Sequence, residues 1–223
     1  RDRKRHRRRH YRLPPETDMV FVPAGPLSEP MVKGLRDWLE AGGTAAVVAG
    51  EGMGSALRTL SGQSVTGISL ADEKSGDYRM LGEVKSAHPL MRPFADERLR
   101  DFTKLRFWKH RRLELAKGPE EVLEVIARFD NGDPALLTQA VGHGRLILLT
   151  SGWHPADSQL ALSTKFVPLL YGWMEAAGFR NEEAYSLLVG EARPVEPGEA
   201  ADIKKPDGQR LAVTAGRTVR AET

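Results

Sequence analysis

Two stretches of this 223-residue chain carry residue types that could do chemistry. The first is Ala49-Gly50-Glu51-Gly52-Met53-Gly54, where an apolar run gives way to a short helical pattern. A glycine-rich turn between strand and helix can hold an anion on its backbone N–H groups, and Glu51 is its one ionisable side chain. No Gly-Lys-Ser/Thr follows, so it is not a Walker loop, and the G-x-G-x-x-G spacing is absent. The same glycines serve equally as a tight turn that needs their backbone freedom. The second stretch is Trp153-His154-Pro155-Ala156-Asp157-Ser158. His154, Asp157 and Ser158 are the residue types of a hydrolytic triad, but a triad is a geometry and not a spacing. Side chains this close on one loop commonly bond the loop's own backbone. A hydrolase or transferase would need Glu51, His154, Asp157 and Ser158 to converge within hydrogen-bond reach.

Other chemistries find less support. The chain has no cysteine, which removes a thiol nucleophile, disulfides and any Cys-ligated metal within these residues. His88, ahead of Pro89, reads as a packed or capping histidine, since Asp96 and Asp101 stand at no recognised metal-ligand spacing from it. The expectation is therefore no catalytic residue, no metal and no cofactor. Gly50, Glu51, Gly52, His154, Asp157 and Ser158 remain as candidate ligand contacts.

Charge is distributed unevenly. Arg1 to Arg12 holds eight Lys/Arg and one Asp, which leaves 25 Lys/Arg against 29 Asp/Glu in the remainder. The body is mildly acidic and the positive charge is terminal. RDRKRHRRRH can be a polyanion-binding or membrane-surface arm. It reads more simply as a disordered flank, because such a run repels itself and cannot form a core. Phe102–Leu115 mixes aromatics with basic residues and could stack and pair with nucleic acid. Read as an edge strand, it puts Leu105, Phe107 and Leu113 near the core and its charges in water. Nucleic acid is accordingly not an expected partner, although the arm keeps that alternative open.

The elements that must position these residues follow from periodicity. Met19–Val22 predicts a short buried strand ending at Pro23-Ala24-Gly25. Ser28 can cap a helix with Met31, Leu35, Trp38 and Leu39 inward, stopped by Gly42-Gly43. Thr44–Ala49 is a fully apolar strand, followed by the glycine turn and a short helix through Leu57 and Leu60. Val65–Leu70, Tyr78–Val84 and Glu121–Phe129 are further strands, and Asp130-Asn131-Gly132-Asp133 is a strong turn. Pro134–Val141 and Arg145–Thr150 flank the hairpin loop Gly142-His143-Gly144. Leu146-Ile147-Leu148-Leu149 has no polar alternation, so it suits a central strand covered on both faces. Phe166, Leu169, Leu170, Trp173 and Ala177 recur at helical spacing up to Gly178. Beyond it, Tyr185–Val189, Glu199–Ile203 and Gln209–Val213 are short strands, with Pro206-Asp207-Gly208 as a turn. The expected architecture is α/β, a three-layer α/β/α sandwich with a mostly parallel sheet. Its parts are a basic disordered arm over 1–15, the α/β domain over 16–180 and the start of a β-rich module over 181–223. No run approaches the roughly 18–20 apolar residues of a membrane span. The chain opens on Arg1 and is expected to be a piece of a longer protein.

DMVFVPAG and GLRDWLEAGGTAAVVAGEGMG resemble the first half of a class I glutamine amidotransferase-like domain, a flavodoxin-like fold. The resemblance implies a sharp turn bearing a nucleophilic cysteine in a Gly-x-Cys-x-Gly setting. That position falls at or beside Gly50, so the nucleophile is missing. His154-Pro155 resembles the His-Pro-Glu of those enzymes, with Ala156 in place of the glutamate. Further, HPLMRPFADERLRDFTKLRFWKHRRL, VGHGRLILLTSGWHPADSQLALSTKFVPLL and VGEARPVEP resemble a group of large bacterial membrane proteins. These have an aerotolerance-regulator (BatA-type) N-terminal region and often a von Willebrand A-like domain. The resemblance covers roughly residues 16–215. It implies a membrane-anchored parent, expected to hold this domain outside the cytoplasm. The domain would be a non-catalytic one that binds a ligand, a protein partner or other domains of its own longer chain. The membrane would be reached through segments outside these residues.

Overall fold

The computed structural model describes residues 11–14, 16–71, 77–95, 99, 101–102, 104–116, 123–179, 192–194, 201–204, 210–213 and 218–220. Arg1–Phe179 and Arg180–Thr223 are two compact units. In the first, the strands are β1 (Met19–Val22), β2 (Thr44–Val48), β3 (Val65–Leu70), β4 (Leu81–Val84), β5 (Arg111–Leu115), β6 (Glu124–Phe129), β7 (Pro134–Val141) and β8 (Gly144–Leu149). The helices are α1 (Glu29–Glu40), α2 (Gly54–Leu60) and α3 (Phe166–Ala176), with short 3₁₀ helices at Pro89–Phe94 and Leu160–Leu162.

Six strands form one sheet in the order β1-β2-β8-β7-β6-β4. β1, β2 and β8 run parallel, with Val22 beside Val47 and Val48 beside Leu149. β7, β6 and β4 are antiparallel to their neighbours. The fold is α/β, but the sheet is mixed, which corrects the expectation of a mostly parallel one. The cause lies in the two tight turns. Gly142-His143 joins β7 to β8, and Asp130–Asp133 joins β6 to β7. A turn that short can link only antiparallel strands, since a parallel pair needs a crossover of a dozen or more residues.

β2 and β8 are covered on both faces, and alternate residues show why. Ala45, Val47, Leu146 and Leu148 pack with Leu35 and Leu39 of α1 and Leu57 and Leu60 of α2. Ala46, Val48, Ile147 and Leu149 pack with Leu90, Met91 and Phe94 of the first 3₁₀ helix and Leu169 and Trp173 of α3. These strand residues are 0–5% exposed. Each such fully buried aliphatic side chain contributes roughly 1.5–3 kcal/mol to stability.

α1 begins after Ser28, which stands at the N-cap position without a side-chain bond, and carries Pro in its first turn. Its inward residues are Val32, Leu35 and Leu39, and Gly42, at φ +122°, ends it. The β7–β8 turn docks on that end: His143 N–H donates to Glu40 O at 3.1 Å and Arg145 N–H to Gly43 O at 3.0 Å.

Two expectations are revised and one is met. β1 is the last strand on its side of the sheet, so only Val22 is buried. The basic segment forms β5, which pairs antiparallel with β3 in a separate ribbon and not at an edge of the main sheet. Leu105, Phe107 and Leu113 are nevertheless buried, as the edge-strand reading has them. His88 is a capping histidine: its Nδ1 accepts from Leu90 N–H at 3.1 Å.

In the second unit, Ala201–Lys204 pairs antiparallel with Arg210–Val213, and Ala192–Pro194 with Thr218–Arg220. Residues 1–10 of the basic arm, Pro15, Asp96, Glu121, Tyr185–Val189 and Pro206-Asp207-Gly208 lie outside the described residues. Among the described residues no helix is long and apolar enough to cross a membrane.

Candidate functional site

Parallel neighbours send their following loops to one edge. β1, β2 and β8 end together, so Pro23–Gly25, Ala49–Met53 and Ser151–Ser158 emerge side by side. Ala49 N–H donates to Leu149 O at 2.8 Å, which carries the β2–β8 ladder to the very start of the two loops. The candidate residues Gly50, Glu51, Gly52, His154, Asp157 and Ser158 are thus brought to the same carboxyl edge.

Their side chains are engaged differently. Gly50 is buried against the β1 loop, and a Cβ there would meet Gly25 N at 2.7 Å and Ala24 Cα at 3.0 Å. A side chain at Gly50, at or beside which the amidotransferase resemblance puts a cysteine, would need the β1 loop to shift. Gly52, at φ +75°, faces open space, and its left-handed backbone is the reason for glycine. Glu51 is exposed and has no hydrogen bond or ion pair among the described residues. The turn closes on itself through Met53 N–H donating to Gly50 O at 3.3 Å.

The β8 loop is built by its own polar groups. Ser158 is fully buried, and its hydroxyl donates to Gly152 O at 2.7 Å while accepting from Leu160 N–H at 3.3 Å. His154 is exposed, and its Nδ1 accepts from Ala156 N–H at 3.1 Å. Its carbonyl accepts from the N–H groups of Asp157 at 2.7 Å and Ser158 at 3.0 Å. Asp157 O accepts from Trp108 N–H at 2.8 Å and Lys109 N–H at 3.1 Å, tying the loop to the segment before β5. The Asp157 carboxylate lies against Gly152, with Lys109 Nζ at 3.9 Å. Trp153 packs edge-on to Phe21 of β1 and tilted on Phe166 of α3.

A second polar group at this edge escaped the sequence reading. His110 is buried, and its Nε2 lies 2.9 Å from Asp133 Oδ2. Asn131 Nδ2 donates to the same oxygen at 2.9 Å, and Arg112 reaches the carboxylate at 3.4 Å. Burial alone would raise the Asp133 carboxyl, but the bonds from His110, Arg112 and Asn131 hold it below its ordinary value. The two partners are 23 positions apart with no signature spacing, so only the tertiary fold reveals them. Ser151 Oγ donates to Lys109 O at 2.7 Å, which ties β8 to the residue before His110.

Past Ser158 the loop borders a hollow of about 440 Å³ lined by Lys104, Gln159, Ser163, Thr164 and Lys165. Among the described residues no three His, Cys, Asp or Glu side chains are grouped to hold a metal ion.

No protein-family model and no curated protein matches this chain. Solved structures do resemble it in fold. Cytoplasmic protein STM3548 from Salmonella typhimurium superposes with a TM-score of 0.52 at 13% identity, over 71% of each chain. Cytoplasmic protein STM1381 from Salmonella typhimurium LT2 gives 0.52 at 12% identity, over 72% of this chain and 71% of its own. A β-galactosidase from Rahnella sp. R3 gives 0.50 at 14% identity, over 74% of this chain but 23% of the enzyme. At such identities the likeness is one of fold.

Proposed function

We propose that this domain is a non-catalytic ligand- or protein-interaction module whose contact surface is the carboxyl edge of β1, β2 and β8. Its centre is Gly50–Gly52 and His154–Ser158. We infer further that it descends from the flavodoxin-like class I amidotransferase fold and belongs to a membrane-anchored bacterial parent of the BatA-type group. The observation that carries the reading is the state of the polar groups. The Ser158 hydroxyl is buried and given to Gly152 O, and a side chain at Gly50 would need the β1 loop to shift. Open α/β sheets bind at this edge by construction, and Glu51 and His154 are left exposed there.

The alternative of a hydrolase or transferase using Glu51, His154, Asp157 or Ser158 would have to break the Ser158–Gly152 bond before any attack. In the nucleic-acid alternative, the basic side chains of the second surface stay exposed but share their charge with nearby protein groups. Arg106 stacks on Tyr78 at 4.8 Å, Arg112 pairs with Asp133, and Lys104 and Lys109 sit near Asp101 and Asp157.

Site-specific photocrosslinkers test the surface in the full-length parent in its native cells. Probes at Glu51 and His154 are expected to yield one common adduct, and a probe at Lys33, on the outer side of α1, none. Adducts that ignore position, or none at either loop, would remove the assignment.

A further inference from the structure

We propose that Tyr11–Pro14 is a guard strap over the open side of β1, which keeps this sheet from pairing edge to edge with a second copy of the chain. The inference concerns a different surface from the carboxyl edge and does not depend on it. β1 pairs only with β2, and among the described residues no hydrogen bond reaches its other side. Its sequence, Met-Val-Phe-Val, has no charge and no proline, and its register with β2 has no bulge. Charge, proline and a bulge are three of the devices by which exposed edge strands resist pairing, which leaves β1 only its shortness, at four residues. A bare edge of this kind is a template for another strand, so a cover is required from elsewhere.

The segment just before β1 supplies it. Leu13 packs into the same apolar cluster as Val20, Val22 and Leu35. The backbone carbonyl of Tyr11 rests on Gly34, in the middle of α1, so closely that any Cβ there would overlap it. Mid-helix glycine lowers helix stability, and the close crossing of the strap accounts for it at this position. The hold is loose. The strap forms no ladder with β1, and Tyr11 and Leu13 line a hollow of about 230 Å³ together with Val20, Val22, Met31 and Leu35. It lies beside β1 and α1 without pairing to the strand, as a displaceable guard would.

Two full-chain variants test the proposal from opposite sides. Gly34→Leu places a side chain where the Tyr11 carbonyl lies while improving helix propensity, and Leu13→Asp removes the apolar anchor without touching α1. In both, hydrogen exchange at Val20–Val22 is expected to quicken while β8 amides keep the wild-type rate, showing that the fold is intact. Both variants are expected to sediment at a higher mass than the wild-type chain at equal concentration. Wild-type exchange at β1, or an unchanged sedimentation mass, overturns the proposal.

Discussion

Gly50 decides more about this domain than its size suggests. If the domain descends from the amidotransferase fold, as proposed, the cysteine could have been lost by a single substitution on an intact elbow, reversible by restoring the thiol. Here the backbone of Gly25 occupies the space a side chain would take, 2.7 Å from any Cβ at position 50. The expected result for Gly50→Cys is therefore a loss of about 1–3 kcal/mol, the usual cost of overpacking a filled site. No ammonia should be released from glutamine. Urea unfolding and a coupled ammonia assay measure the two halves. A stable, glutaminase-active variant would mean that the β1 loop moves aside and that the amidotransferase chemistry was lost by one substitution.

At the level of elements, the docking of the β7–β8 turn on the end of α1 ties the sheet to its helical layer. Gly144 lies so close to the carbonyls of Leu39 and Gly43 that no Cβ fits. Gly144→Val should push the turn off α1 and lower stability by about 1–3 kcal/mol, read as a lower urea midpoint at unchanged slope. The sequence announced this hairpin, through glycines between two apolar runs, and it announced the Asp130–Asp133 turn as well. It also announced β2, β8 and the burial of Leu105, Phe107 and Leu113. Strand direction is not legible from an unbroken apolar run such as Leu146–Leu149, which reports cover on both faces and says nothing about the neighbours' orientation. The two short turns held that information and outweighed the run. In the site, loop positions were legible from glycine and polar clustering. The engagement of Ser158 and the pairing of His110 with Asp133 were not, because both depend on groups that meet only in three dimensions.

At the scale of the whole domain, two polar clusters among the described residues make stability respond to acid. Burial lowers His88 from its ordinary value of 6.5, against an opposing pull from Glu124, and the neutral ring is what lets Nδ1 accept from Leu90 N–H. A lowered histidine costs nothing while both states are neutral. Its penalty grows as pH falls below 6.5 and levels off beneath the folded value. Asp133, held below its ordinary 3.8, stabilises the fold above that value and ceases to do so as pH falls through the lowered one. Thermal unfolding against pH should therefore show one decline that begins near 6.5 and another that begins near 3.8. His88→Asn, which can still accept the bond but does not titrate, should remove the upper one. Asp133→Asn should flatten the lower one, and a profile unchanged in either variant would refute that assignment. The sheet itself has a consequence in time. β8 pairs with β7 across a two-residue turn but with β2 across about a hundred positions, so its two sides differ greatly in loop-closure entropy. The hairpin can form within microseconds and present a ready edge, onto which the slower, distant β2 must then be recruited. The strand where parallel and antiparallel halves meet is thus also where local and long-range folding meet.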